Sequence, residues 1–215
     1  NYVIGDLIHN VIYKNLNGSF DDLLYLVTSH PGMLDYLDNQ TSIGENSKEA
    51  KSLRKEGKIA GLNDNLAREL LELHTVSPAR KYSETDIRNT AKVLAGWGVF
   101  VGDFIEEFNN HKKWKNISGN TKFEEFVLAP YVKGRAEPGK KVVMGKTFPS
   151  GSKALRKLTT MLARDDFTAQ HLSKKLAIHF IGENASKGEV KVIYDTWKKS
   201  NGDLAAVHRA TLKVA

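Results

Sequence analysis

A mainly α fold, a multi-helix globular domain with a small β-hairpin or ribbon inserted around residues 97–149, is what three features of the sequence predict. Apolar residues recur at helical spacing before residue 96 and again after residue 151. Capping residues and helix breakers punctuate those stretches where helices should begin and end. Residues 97–149 differ: WGVFVGDF, FEEFVLAPYVKG and KKVVMGKTF are short, aromatic and β-branched, and bounded by Gly and Pro.

Taken in order, Ile4, Leu7, Ile8, Val11 and Ile12 make one apolar stripe, and Asn17-Gly18 ends it. Ser19 suits the N-cap of a second helix, with Asp21 and Asp22 near its positive end and Phe20, Leu23, Leu24 and Val27 as its buried face. Pro31 can open a short helix containing Met33, Leu34 and Leu37. Residues 41–60 lack large apolar groups, which predicts a long surface loop, mobile at its tip. Asn63 or Asp64 caps the helix in GLNDNLARELLELHT (Gly61–Thr75), and Val76-Ser77-Pro78 closes it. Ser83 with Asp86 resembles a capping box for the next helix, whose apolar positions are Ile87, Ala91, Val93 and Leu94. Helices are then expected at Lys153–Arg164, from Asp165 or Asp166 through HLSKKLAIHF to Gly182, at Lys187–Lys199 and at Asp203–Val214. The whole, 1–215, reads as a single helical domain.

The composition sets outer bounds on function. With 40% hydrophobic and 27% charged residues, the chain matches a soluble globular protein. No apolar run approaches the roughly 20 residues of a membrane span. The absence of cysteine excludes disulfides, thiolate catalysis and Cys-ligated zinc. A net charge of +7 suits anionic partners such as nucleic acid, anionic polysaccharide or a membrane surface, or simply solubility. The chain opens on Asn1 inside an amphipathic pattern, as a fragment of a longer protein would.

GLNDNLARELLELHT holds the densest group of reactive side chains. At about 100° per residue, Asn65, Arg68, Glu69 and Glu72 share one polar face, while Leu66, Leu70 and Leu73 lie opposite with His74 at the margin. Carboxylates three residues apart can bind a divalent metal or share acid–base work, which makes Glu69, Glu72 and His74 the catalytic candidates. The pattern lacks E-x-x-H and H-E-x-x-H, and an amphipathic helix with an Arg68–Glu72 pair is the better account of the two carboxylates. His171 and His179 stand about 80° apart on one helix and do not converge; His179, within LAIHF, is expected in the core. The turn GRAEPGKK could present Arg135 and Glu137 to a ligand, with Asn65, Arg68 and His171 as further binding candidates. Lys112, Lys113 and Lys115 around Trp114 form a basic patch like those of single-strand binders. Such binders offer several stacking rings, so nucleic acid is the poorer fit. No cofactor is evident, and a divalent metal is the one the residues could hold.

A family resemblance rests on longer words. SFDDLLYLVTSHPGMLDYLDN (Ser19–Asn39), GLNDNLARELLELHT, the segment from Tyr82 to Ile87 and the later AGW carry it in the first half. AEPGKKVVMG, FTAQHLSKKLAIHFIGE and NGDLAAVHRA carry it in the second. In these the chain resembles the bacterial family named domain of unknown function 1800, and matches what would be its C-terminal two-thirds. Ala136 stands where many members have His before Glu-Pro-Gly, which weakens a catalytic or metal role for that turn. The resemblance implies a mostly helical bacterial protein, exported to the periplasm or secreted. It also implies a neighbour, an exported sulfatase-like protein of the domain of unknown function 1501 family, and no established reaction. Three functions remain open: partner or surface-polymer binding, a divalent-metal hydrolase around Glu69, Glu72 and His74, and nucleic-acid binding through residues 112–115.

Overall fold

In a computed structural model, residues 2–99 and 131–215 are described. The first helix is α-helical at Tyr2–Asp6 (α1) and Tyr13–Asn15 (α2), with a π-helical segment at Leu7–Ile12 between them. Widening the turn rotates the apolar stripe out of phase, so Leu7 and Val11 are buried while Ile4 and Ile8 stay exposed. α3 (Phe20–Thr28) is capped as expected, the Ser19 hydroxyl accepting from the Asp22 N–H at 3.1 Å. α4 (Pro31–Tyr36) begins at a buried His30, whose Nδ1 accepts from the Gly32 N–H at 3.0 Å.

The segment expected to be a loop, residues 41–60, contains a helix, α5 (Lys48–Lys55). Ser47 caps it, accepting from the Ala50 N–H at 3.0 Å, and the Ile43 N–H donates to the Gly61 carbonyl at 2.9 Å, closing the base of the excursion. Ala50 is its one buried side chain. Caps and contacts with distant chain hold this helix, and neither leaves an apolar stripe in the sequence.

α6 (Asn65–Glu72) buries Leu66, Ala67, Leu70 and Leu71, and α7 (Glu84–Leu94) packs on it. The capping box is present at Ser83 and Asp86. Two strands, β1 (Lys141–Val143) and β2 (Lys146–Phe148), pair antiparallel with Val142 opposite Thr147. Both turn residues have positive φ, 46° at Met144 and 75° at Gly145, the pattern of a two-residue type I′ hairpin. The hairpin occupies the end of the predicted β region, and Val143 and Phe148 insert into the core.

α8 (Lys153–Ala163) completes the first hydrophobic cluster with Ala154, Leu155, Leu158 and Leu162. α9 (Asp166–Phe180), α10 (Lys187–Ser200) and α11 (Leu204–Val214) pack around a second one of Ala169, Ala177, Ile193, Trp197 and Val207. Phe20 packs against both clusters. No described helix is long and apolar enough to cross a membrane.

Asp86 joins two of these elements. One carboxylate oxygen accepts from the Ser83 N–H at 2.9 Å and its hydroxyl at 2.7 Å; the other accepts from the Met144 N–H at 2.6 Å. Burial opposes its charge, but the hydrogen bonds from Ser83 and Met144 prevail and hold the carboxyl below its usual range. Asp86→Asn should therefore cost about 1–2 kcal/mol in urea denaturation at neutral pH. Because the folded pKa is depressed, that contribution is present above the ordinary carboxylate value and is lost as pH falls through the folded one; the gap between variant and parent should narrow as the solution is acidified below the ordinary value.

Candidate functional site

The polar face of α6 is less convergent than its sequence implies. Arg68 turns to Asp64, with Nε at 3.1 Å from Oδ2, and to Glu84, with Nη2 at 2.8 Å from Oε2. The expected Arg68–Glu72 pair does not form, because both partners that Arg68 takes lie N-terminal to it or on the start of α7. These acids push the guanidinium pKa up. Asn65 and Glu72 are exposed, and Glu69 is partly buried. Among the described residues, no three His, Asp or Glu side chains are grouped to hold a metal ion.

At the exit of α6 the winding widens, an i→i−5 bond joining the last α-helical one. The Leu73 and His74 N–H groups both donate to the Glu69 carbonyl at 3.0 Å, and the Thr75 hydroxyl donates to the Leu70 carbonyl at 2.6 Å. This swings Leu73, expected on the buried side, outward to 47% exposure. Its carbonyl faces α9, where His171 Nε2 and Lys175 Nζ each approach to 3.4 Å. His171 is thus brought to the end of α6, and neither its ring nor that of His74 is hydrogen-bonded to the Glu69 or Glu72 carboxylate. Burial pushes the His74 imidazole below its ordinary value, and the Lys175 ammonium adds to this. Burial also lowers His171; the Leu73 carbonyl opposes it, and Lys175 and Lys174 reinforce it.

Arg135 and Glu137 belong to a different place. Glu137, only 6% exposed, accepts from the Asn46 N–H at 2.9 Å and from Asn46 Nδ2 at 2.6 Å. Arg135 Nε lies 3.3 Å from a Glu49 carboxylate oxygen. Lys141, also buried, donates to the Glu137 and Gly139 carbonyls. Burial draws its pKa down, Glu137 pulls it back and Lys92 adds to the fall. Gly44 lies so close that a Cβ there would meet Glu137 N at 2.5 Å, so only glycine fits. The turn at Ala136–Gly139 is thereby a clamp on residues 44–50. The basic patch of Lys112, Lys113, Trp114 and Lys115 lies outside the described residues.

Two further features were not legible as sites. His30 joins α4 to α1, its Nε2 3.0 Å from an Asp6 carboxylate oxygen. Nδ1 accepts from a backbone N–H, so the proton sits on Nε2 and no nitrogen is left to act as a base. The second is an apolar groove of about 350 Å³ between α9, α11 and the start of α3, floored by Phe20, Leu172, Leu176, Trp197 and Leu204. Lys175, His179 and His208 supply its polar groups. His179, expected in the core, is exposed beside Phe180, with ring centroids 4.8 Å apart. Helical spacing put it near the apolar face of α9, but the buried positions there are the small residues Ala169, Ser173 and Ala177. Leu204 and His208, four residues apart, were the available signal for the groove.

The helix order, the α6–α7 pair and the hairpin carry the words on which the family resemblance rested. A family described as "Protein of unknown function (DUF1800)" matches residues 1–214. The chain belongs to the DUF1800 family. The match runs over nearly the whole chain, and the narrower placing in the family's C-terminal two-thirds gains no support from it. Neither the curated proteins nor the solved structures give a match to this DUF1800 chain.

Two outcomes are expected from these arrangements. Glu137→Ala, which leaves both Asn46 donors without their acceptor, should lower unfolding free energy by about 2–3 kcal/mol. It should also hasten tryptic cleavage between Lys51 and Lys58. For His74 the depressed folded pKa means stability is full above about pH 6.5 and lost as pH falls through the folded value. In thermal melts between about pH 7 and 5, His74→Gln should flatten part of the decline in Tm.

Proposed function

We propose that this DUF1800 protein is a non-catalytic binding domain that engages an anionic surface polymer through the basic face of α8–α11. One observation carries the reading. Residues 151–215 contain twelve Lys and Arg against six Asp and Glu, which accounts for nearly all of the chain's net charge of +7. Arg156, Arg164, Lys191 and Lys198 pair with carboxylates. The other eight cations, from Lys153 to Lys213, are exposed and have no carboxylate partner among the described residues. The acids are largely engaged: Asp165, Asp166 and Asp195 in ion pairs, Glu189 and Asp203 in helix caps. What faces solvent there is a cationic surface, which attracts polyanions at low ionic strength.

Export to the periplasm or beyond the cell belongs to this proposal, and so does a sulfatase-like partner of the domain of unknown function 1501 family. Both are supported by the family resemblance. A divalent-metal hydrolase at Glu69, Glu72 and His74 has no ligand set among the described residues to favour it. Nucleic-acid binding through Lys112–Lys115 has no described geometry behind it.

Dextran sulfate serves as the test polymer. Saturable binding at about 50 mM salt should weaken steeply towards about 500 mM as charges are screened. The triple variant Lys187→Glu, Lys199→Glu, Lys213→Glu should bind roughly tenfold more weakly with unchanged Tm. Undetectable binding at low salt, or equal affinity in the variant, would overturn the proposal.

A further inference from the structure

The groove between α9, α11 and the start of α3 calls for an occupant. Protein interiors close up to leave few voids larger than a water molecule. Here a concavity of about 350 Å³ stays open although leucines and two aromatic rings line it. That volume lies at the lower end of small-molecule sites, and like them the groove is mostly apolar with a few polar groups.

The one formal charge in the groove is the Lys175 ammonium. Lys175, His179 and His208 all line the groove, and none of its lining residues is acidic. Lys175 reaches the Leu73 carbonyl at 3.4 Å and has no carboxylate partner among the described residues. An ammonium and two imidazoles beside an apolar floor complement a molecule with an aliphatic body and an anionic end. A cationic or uncharged amphiphile would leave that complementarity unused. We infer that the groove binds a single-chain aliphatic carboxylate, its chain lying along Phe20, Leu172, Leu176 and Trp197 and its carboxylate meeting Lys175 and the two histidines. Of the exposed cations proposed to meet a polymer, Lys175 lines this groove and the other seven lie outside it.

Isothermal titration of the whole chain with sodium laurate, below its micelle-forming concentration, tests the assignment. One laurate per chain should bind, and octanoate, four methylenes shorter, should bind roughly two-hundredfold more weakly, since each buried methylene contributes a factor of about four. Dodecyltrimethylammonium, of equal length and opposite charge, should bind at least tenfold more weakly. Lys175→Glu, at an exposed position, should lose at least tenfold in laurate affinity; so should Leu176→Trp, which fills the groove, checked for its fold by circular dichroism. The inference is overturned if laurate shows no saturable binding, if the cation binds as tightly, or if laurate affinity survives Lys175→Glu. Dextran sulfate affinity should be unchanged in Leu176→Trp, so the acyl site and the polymer surface fail independently.

Discussion

Phe20 joins the two hydrophobic clusters on which the molecule is built. Its N–H donates to the Gly202 carbonyl at 2.9 Å, and its ring meets Trp197 edge-on at 5.1 Å. Beside it the Leu204 N–H donates to the Gly18 carbonyl at 2.9 Å, so the start of α3 and the start of α11 are tied by backbone as well as by rings. Gly202 suits the turn before α11 because its φ of 77° is one that side-chain-bearing residues rarely adopt. The same contact forms the floor of the apolar groove. Because Phe20 serves both clusters without being sealed by either, apolar surface is left open where α9 and α11 diverge.

Charge is used in two opposite ways in this fold. Around Glu137 and Asp86, hydrogen bonds from Asn46 and from the Met144 N–H join one chain segment to another. A buried charge without partners is costly, so such groups persist where backbone donors and acceptors surround them. Residues 44–50 are held in place largely by this means, and the hairpin by this together with the burial of Val143 and Phe148. On α8–α11 the reverse holds: lysines project into water and the acids that could neutralise them are engaged in caps and ion pairs. Chemistry directed outward is concentrated there.

The sequence made much of the helical framework legible. Ser19, Ser83 with Asp86, and Asp203 mark helix starts because a cap is a local device whose partners lie two or three residues away. Leu66 and Leu70 announce the buried face of α6 for the same reason, periodicity being local. Leu73 was misplaced because a changed winding at the end of α6 redirects a side chain that a uniform 100° step assigns inward, and His179 because the buried face of α9 is made of small residues rather than of the apolar run around it. α5 stayed hidden because its stability comes from Glu137, Arg135 and Gly134, nearly ninety residues further along the chain.

By itself the sequence determined the family, the mainly α class, the hairpin and an excess of positive charge, since all four depend on residue identity and short-range pattern. Tertiary structure alone decided what the reactive side chains meet. It turned Arg68 to Glu84 and Glu137 to Asn46, brought His171 to the carbonyl of Leu73, and set Lys175, His179 and His208 around one groove. Those pairings depend on how helices cross and where they stop, and on distances between residues far apart in the chain. Short-range spacing carries no information about either.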